Sequence, residues 1–273
     1  MATEAATTQP WHVPEPSPWP IVGTAAALSL AFGLIWFMHA GVPWLVSFGG
    51  ILLAITMVGW FKDVIGEAND GKSHSSAVKT GLRVGFLMFI LSEVMFFFAF
   101  FWAYFHSSLP ILSNVAGPWP PEGIDALGAA GVPMLNTLLL LTSSLTVTVA
   151  HHAILEGERQ KVVLWTGITV ILGVLFLGVQ IAEYGHLVFG LSDGIYPSTF
   201  YLATGFHGFH VFVGTVFLIV CYFRARNGHF TRDAHIGFEA AAWYWHFVDV
   251  VWIFLYINVY WWRSSEFGHR LVG

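Results

Sequence analysis

The sequence predicts an all-α polytopic membrane protein with seven transmembrane helices, and three observations carry that prediction. Apolar residues make up 56% of the 273 and charged residues only 10%, where a soluble domain carries about 25% charged. With 11 basic and 16 acidic side chains, a water-facing surface would consist largely of contiguous apolar patches. Seven apolar stretches approach the roughly 20 residues that cross a bilayer core. Most lack strong alternation and run longer than strands, and of the helices or closed barrels that lipid admits, helices are the economical reading.

The spans are read at about 21–38, 44–61, 82–105, 135–155, 162–183, 200–223 and 243–262. A polar, Pro-rich segment, 1–20, precedes the first and has no signal-peptide pattern. The first span is short and carries Ser29-x-x-x-Gly33, small residues on one face that allow close helix approach. The second begins behind Pro43. The third is long, opens with Gly81-x-x-x-Gly85 and holds Glu93 near its middle. Pro133 and Pro197 stand just before the fourth and sixth, where a missing N–H costs nothing. The fourth closes on His151-His152, the fifth on Glu183, and the seventh is rich in Trp and Tyr. No repeat and no connection of independent-domain size interrupts the series, so 1–273 reads as a single membrane domain.

Charge narrows function and sets orientation. The formal net charge is −5 with no basic patch, so nucleic acid is not an expected partner. A lone cysteine, Cys221, leaves neither an intrachain disulfide nor a thiolate cluster. Seven crossings put Lys62, Lys72, Lys79, Arg83, Arg159, Lys161, Arg224, Arg226 and Arg232 on the N-terminal side. Only Arg263 and Arg270 fall on the other. Nine against two places the N-terminus in the cytoplasm or matrix and the C-terminus in the periplasm or intermembrane space.

Ionisable groups at membrane depth are functional candidates. Glu93 lies among Leu91 and Met95–Phe98, and a carboxyl there is expected protonated or hydrogen-bonded. It reads either as a proton-linked or lipid-contacting group, or as a neutral acid joining two helices. His246 with Asp249, and His207 with His210, are i,i+3 pairs that share a helix face. Glu183 and His186 form a single Glu-x-x-His. Di-metal bundles use two such motifs at one depth, whereas here the candidates are spread through the membrane, so no bound metal is expected. His207 or His246 as a haem ligand draws no support from spacing. Phosphate-binding loops and a nucleophile elbow are absent from the sequence.

Longer runs are more specific. Gly237–Trp252 reads GFEAAAWYWHFVDVVW, Ala203–His210 ATGFHGFH, Leu91–Phe97 LSEVMFF and Ala150–His152 AHH, with EGER soon after. Together with SPWP at Ser17–Pro20, WPPEG at Trp119–Gly123 and LNT at Leu135–Thr137, the chain from about Pro16 to Trp262 resembles subunit III of cytochrome c oxidase. The resemblance implies a subunit of an aa3-type haem–copper oxidase, which oxidises cytochrome c, reduces oxygen to water and translocates protons. It implies no catalytic residue and no cofactor in this chain, since haem a, haem a3 and copper belong to partner subunits. Subunits I and II are the implied partners, with cytochrome c and a respiratory supercomplex reached through the complex. The first two helices are expected to splay from the other five around a cleft filled with phospholipid. The subunit is expected to stabilise subunit I and support its proton uptake.

Residue by residue, Glu93 matches the family's carbodiimide-reactive carboxyl. Trp60, Glu67, His74, Arg83, Phe89 and Arg224 fall at or near positions associated with lipid, although Gly66 stands where some relatives carry a basic residue. Both arginines could instead simply snorkel to the interface. The alternatives are the equivalent quinol oxidase subunit, usually without the first two spans, and a standalone transporter or metalloenzyme. A bacterial cell membrane is the expected location, with the mitochondrial inner membrane as the alternative.

Overall fold

The computed structural model describes residues 16–69, 74–109, 119–124 and 128–262. Lys72, Arg263 and Arg270 of the charge count lie outside them. Among the described residues the long elements are all helices: α1 Trp19–Ala40, α2 Trp44–Asn69, α3 Ser76–Ser108, α4 Val132–Glu156, α5 Arg159–Tyr184, α6 Ile195–Arg226 and α7 Ile236–Leu255. All seven are long and apolar enough to cross a membrane, the last counted on to Trp261.

Several helices outrun the apolar stretches that announce them. α3 starts at Ser76, α6 runs 32 residues from Ile195, and α7 starts at Ile236, where the hydropathy reading begins at 82, 200 and 243. Hydropathy marks where hydrocarbon lies. The backbone continues helical beyond it because its N–H and C=O groups still need partners, and Glu239-Ala240-Ala241-Ala242 are mostly strong helix formers. The seventh span also departs from a plain α-helix to Trp262: it ends as α at Leu255 and passes into a π-helical turn, Tyr256–Trp261. Gly41 and Gly157 close α1 and α4 at φ 68° and 80°, left-handed conformations that only glycine adopts without cost.

Two compact units emerge, 1–82 and 83–273. In the first, α1 and α2 pack through small residues. Gly33 lies so close to the backbone of Val46 that a Cβ would collide with it, and a Cβ on Gly49 would stand 2.7 Å from the Leu30 nitrogen and 3.0 Å from the Ser29 carbonyl carbon. Ser29-x-x-x-Gly33 therefore marks a true close approach. The same spacing at Gly81 and Gly85 does not, because a Cβ at either would meet nothing within 4 Å. Trp19 covers Gly59 and donates its indole N–H to Asp63 at 2.6 Å.

In the second unit Trp245 of α7 organises the packing. Its ring fills a slot between Gly173 of α5 and Gly214 of α6, whose Cβ atoms would stand 2.8 and 2.9 Å from it. Its N–H donates to Ser143 Oγ of α4 at 2.8 Å. Two turns on, Trp252 donates to Thr137 Oγ1 of α4 at 3.0 Å and lies edge-on to Phe176 of α5. One aromatic helix thus touches its neighbours through both ring faces and hydrogen bonds, the polar glue that lipid rewards.

Candidate functional site

In the second unit, polar side chains gather at three levels along the helices. Midway along the spans, Glu93 of α3 meets His210 of α6, with Oε2 2.9 Å from Nε2. The His210 side chain is 4% exposed and that of Glu93 21%. Phe97, Phe206 and Phe247 surround the imidazole, and Tyr244 stacks on it at 6.2 Å. His210 Nδ1 lies 2.9 Å from the Phe206 carbonyl, an acceptor only, so that nitrogen carries hydrogen and donates. The Nε2–Oε2 contact then contains one proton, on the carboxyl or on the ring. In both arrangements the pair is neutral overall, which suits its depth.

At the end of the spans bearing most of the lysines and arginines, Arg83 of α3 grips Glu239 of α7 with two bonds, Nε to Oε2 at 2.8 Å and Nη2 to Oε1 at 3.0 Å. This is the bidentate fork that makes guanidinium–carboxylate pairs strong and directional. His235, just before α7, places Nε2 3.3 Å from Glu239 Oε1. His151 of α4 stands beside them, its ring centroid 5.5 Å from that of His235. Arg224 of α6 lies over the Phe230 ring at 4.6 Å and against Gly237.

Toward the opposite end, Asn136 of α4 donates to Gln180 of α5 at 3.2 Å, and Gln180 donates to Glu183 at 3.0 Å. All three are buried. His186, the partner of Glu183 by sequence spacing, donates instead to the Ala182 carbonyl at 2.7 Å.

The i,i+3 pairs prove to be shared faces with separate partners. His207 Nε2 donates to the Val248 carbonyl of α7 at 3.1 Å while His210 turns to Glu93. His246 Nε2 meets Thr148 Oγ1 of α4 at 3.2 Å, and Asp249, 6% exposed, faces Ser144. Of the residues expected from the sequence to contact lipid, Trp60 and Phe89 are 44% and 46% exposed, with Phe89 stacked on Tyr244. Glu67 and His74 are half-buried in the first unit. Sequence spacing singled out neither His235 nor Glu239. The available signal is their i,i+4 separation at the start of an aromatic helix, which indicates a common face and not a distant arginine.

The model of the family "Cytochrome c oxidase subunit III" matches residues 9–264. Proteins named cytochrome c oxidase subunit 3 are similar over nearly their whole length. That of Arabidopsis thaliana is 52% identical over 254 residues, 92% of this chain and 96% of the relative. That of Branchiostoma lanceolatum is 51% identical over 255, covering 93% and 97%, and that of Danio rerio 50% over 255, again 93% and 97%.

Proposed function

The chain belongs to the cytochrome c oxidase subunit III family, and from that premise we propose that it is a scaffold that steadies the catalytic subunits and holds phospholipid. As a family member it is a multi-pass membrane subunit of an oxidase complex and houses no redox centre of its own. The observation that carries the reading is a match of about half the residues along nearly the full length of oxidase subunits, in a chain with seven helices long and apolar enough to cross a membrane. The same names favour the cytochrome c enzyme over a quinol oxidase or a lone transporter.

The partners we infer are subunits I and II, with cytochrome c and a respiratory supercomplex reached through the assembly. The large exposed faces of α1 to α3, from Phe32 and Trp36 to Met88 and Met95, suit contact with lipid and with such partners. Lipid contacts are proposed at Trp60, Glu67 and His74 in the first unit, and at Arg83, Phe89 and Arg224 in the second. Glu239 occupies Nε and Nη2 of Arg83, so a lipid phosphate would take the Nη1 edge. The basic-residue count favours an N-terminus on the cytoplasmic or matrix side, in a bacterial cell membrane or the mitochondrial inner membrane.

Removing the chain from the purified oxidase tests the reading. The depleted complex should oxidise cytochrome c at close to its normal initial rate and then lose activity during turnover. Loss of haem spectra together with initial activity would place a redox centre here and refute it.

A further inference from the structure

We propose that His151, His235 and Glu239 form a binding site for a divalent transition-metal cation of the zinc class. The three side chains come from two elements, the last turns of α4 and the start of α7. One ligand atom from each lies within 4.8 Å of the others. Their side chains are half-buried, buried and half-buried in that order.

Hydrogen bonding shows what the cluster lacks. His235 Nδ1 lies 2.9 Å from the Thr231 carbonyl, so this nitrogen carries the hydrogen and donates. In the neutral ring, Nε2 then presents a lone pair to Glu239 Oε1, another acceptor, at 3.3 Å. Two acceptors face each other only with a positive charge between them. His151 Nε2 is also buried, and no described residue bonds to it. A proton on His235 would satisfy the first two atoms and leave His151 without a partner. A cation satisfies all three.

The donor set selects the ion. Two imidazole nitrogens and a carboxylate oxygen suit zinc and its neighbours and not magnesium or calcium, which prefer all-oxygen sites. Tetrahedral ligands about 2.0–2.2 Å from zinc stand roughly 3.3–3.5 Å apart. The His235–Glu239 separation is already of that size, and His151 must close by an ångström or so. Surrounding contacts hold the ligands ready. Arg83 fixes the carboxylate with its fork, leaving a lone pair on Oε1, and the Thr231 carbonyl orients the His235 ring. Arg232 donates to the Glu156 carbonyl at 3.0 Å and ties the loop before α7 to the end of α4. The Arg83 charge weakens the attraction for a dication, so this is a moderate site. Zinc carries no redox chemistry, in keeping with a subunit without a redox centre.

The test uses the intact oxidase, stripped of loosely held metal and titrated with zinc chloride. Diffraction on either side of the zinc absorption edge should give an anomalous peak within about 2.0–2.2 Å of the three ligand atoms. His151→Gln, which leaves the Arg83–Glu239 pair in place, should remove one zinc equivalent and weaken binding at this site on the order of 100-fold. No peak here at saturating zinc, or an equal zinc content in the variant, would overturn the proposal and leave His235 as a protonated partner of Glu239. Should the variant fail to assemble, the anomalous map of the unmodified complex decides alone.

Discussion

Helices α1 and α7 are both apolar and long enough to span a bilayer, yet two residues of α1 are buried and twelve of α7. The buried pair in α1 is Ala26 and Gly33, and α2 contributes only Gly49 and Thr56. In α7 the buried set includes Trp245, Trp252 and Asp249. The difference shows two ways to pack without water. Lipid tails are as apolar as leucine, so exposing Phe32 or Met88 carries no penalty, and association must come from close fit and hydrogen bonds. The first unit uses fit, with backbones brought together over glycines. The second adds a framework of indole, hydroxyl, amide and imidazole contacts.

The largest expected effect strikes the second mode. Trp245→Ala should empty the slot between Gly173 and Gly214 and remove the indole donor to Ser143, destabilising the subunit by about 3–5 kcal/mol. A lowered midpoint of subunit dissociation on heating in detergent would register it. Trp245→Phe keeps most of the volume and should cost only about 1 kcal/mol. Equal losses for the two would mean that the hydrogen bond, and not the fit, dominates.

The first mode should break at Gly33. Leucine there must push α1 from the Val46 backbone, at about 1–3 kcal/mol. Gly50→Ala, where a Cβ meets nothing within 4 Å, should be neutral or slightly stabilising because alanine favours helix by about 1 kcal/mol. Measuring how much of each variant accumulates in the purified oxidase checks both, and similar behaviour would remove the contrast.

Smaller still is the effect of Thr137→Val, which takes the acceptor from the Trp252 indole in an otherwise filled site. About 1 kcal/mol is expected in the same thermal assay. Glu93→Gln should change stability least, since an amide N–H can still donate to His210 Nε2. Its signature is chemical: hydrophobic carbodiimide should label Glu93 in the unmodified oxidase and leave the variant unlabelled by mass spectrometry. Labelling that persists in the variant would show that another carboxyl reacts.

How much of this was legible in sequence varies by residue. Ser29-x-x-x-Gly33 and Gly81-x-x-x-Gly85 are the same pattern, but only at Gly33 would an added Cβ collide with a neighbouring backbone; at Gly81 and Gly85 it would meet nothing within 4 Å among the described residues. His207 and His210 do share a face, as their spacing requires, yet one bonds a backbone carbonyl of α7 and the other a carboxylate of α3. Arg83 reads as a free interfacial cation, and the fold gives it Glu239.

The sequence by itself determined the number of spans and which ends of them carry most of the lysines and arginines. Both are sums of local preferences, the transfer of each side chain into lipid and the retention of lysine and arginine on one side. Tertiary structure alone decided the partners of the buried polar groups. Glu93 and His210 lie 117 residues apart, and Arg83 and Glu239 lie 156 apart. In hydrocarbon a polar atom must find a partner among whatever side chains the packing brings within 3 Å or so. Helical periodicity tells which face a residue occupies but not which helix that face will meet.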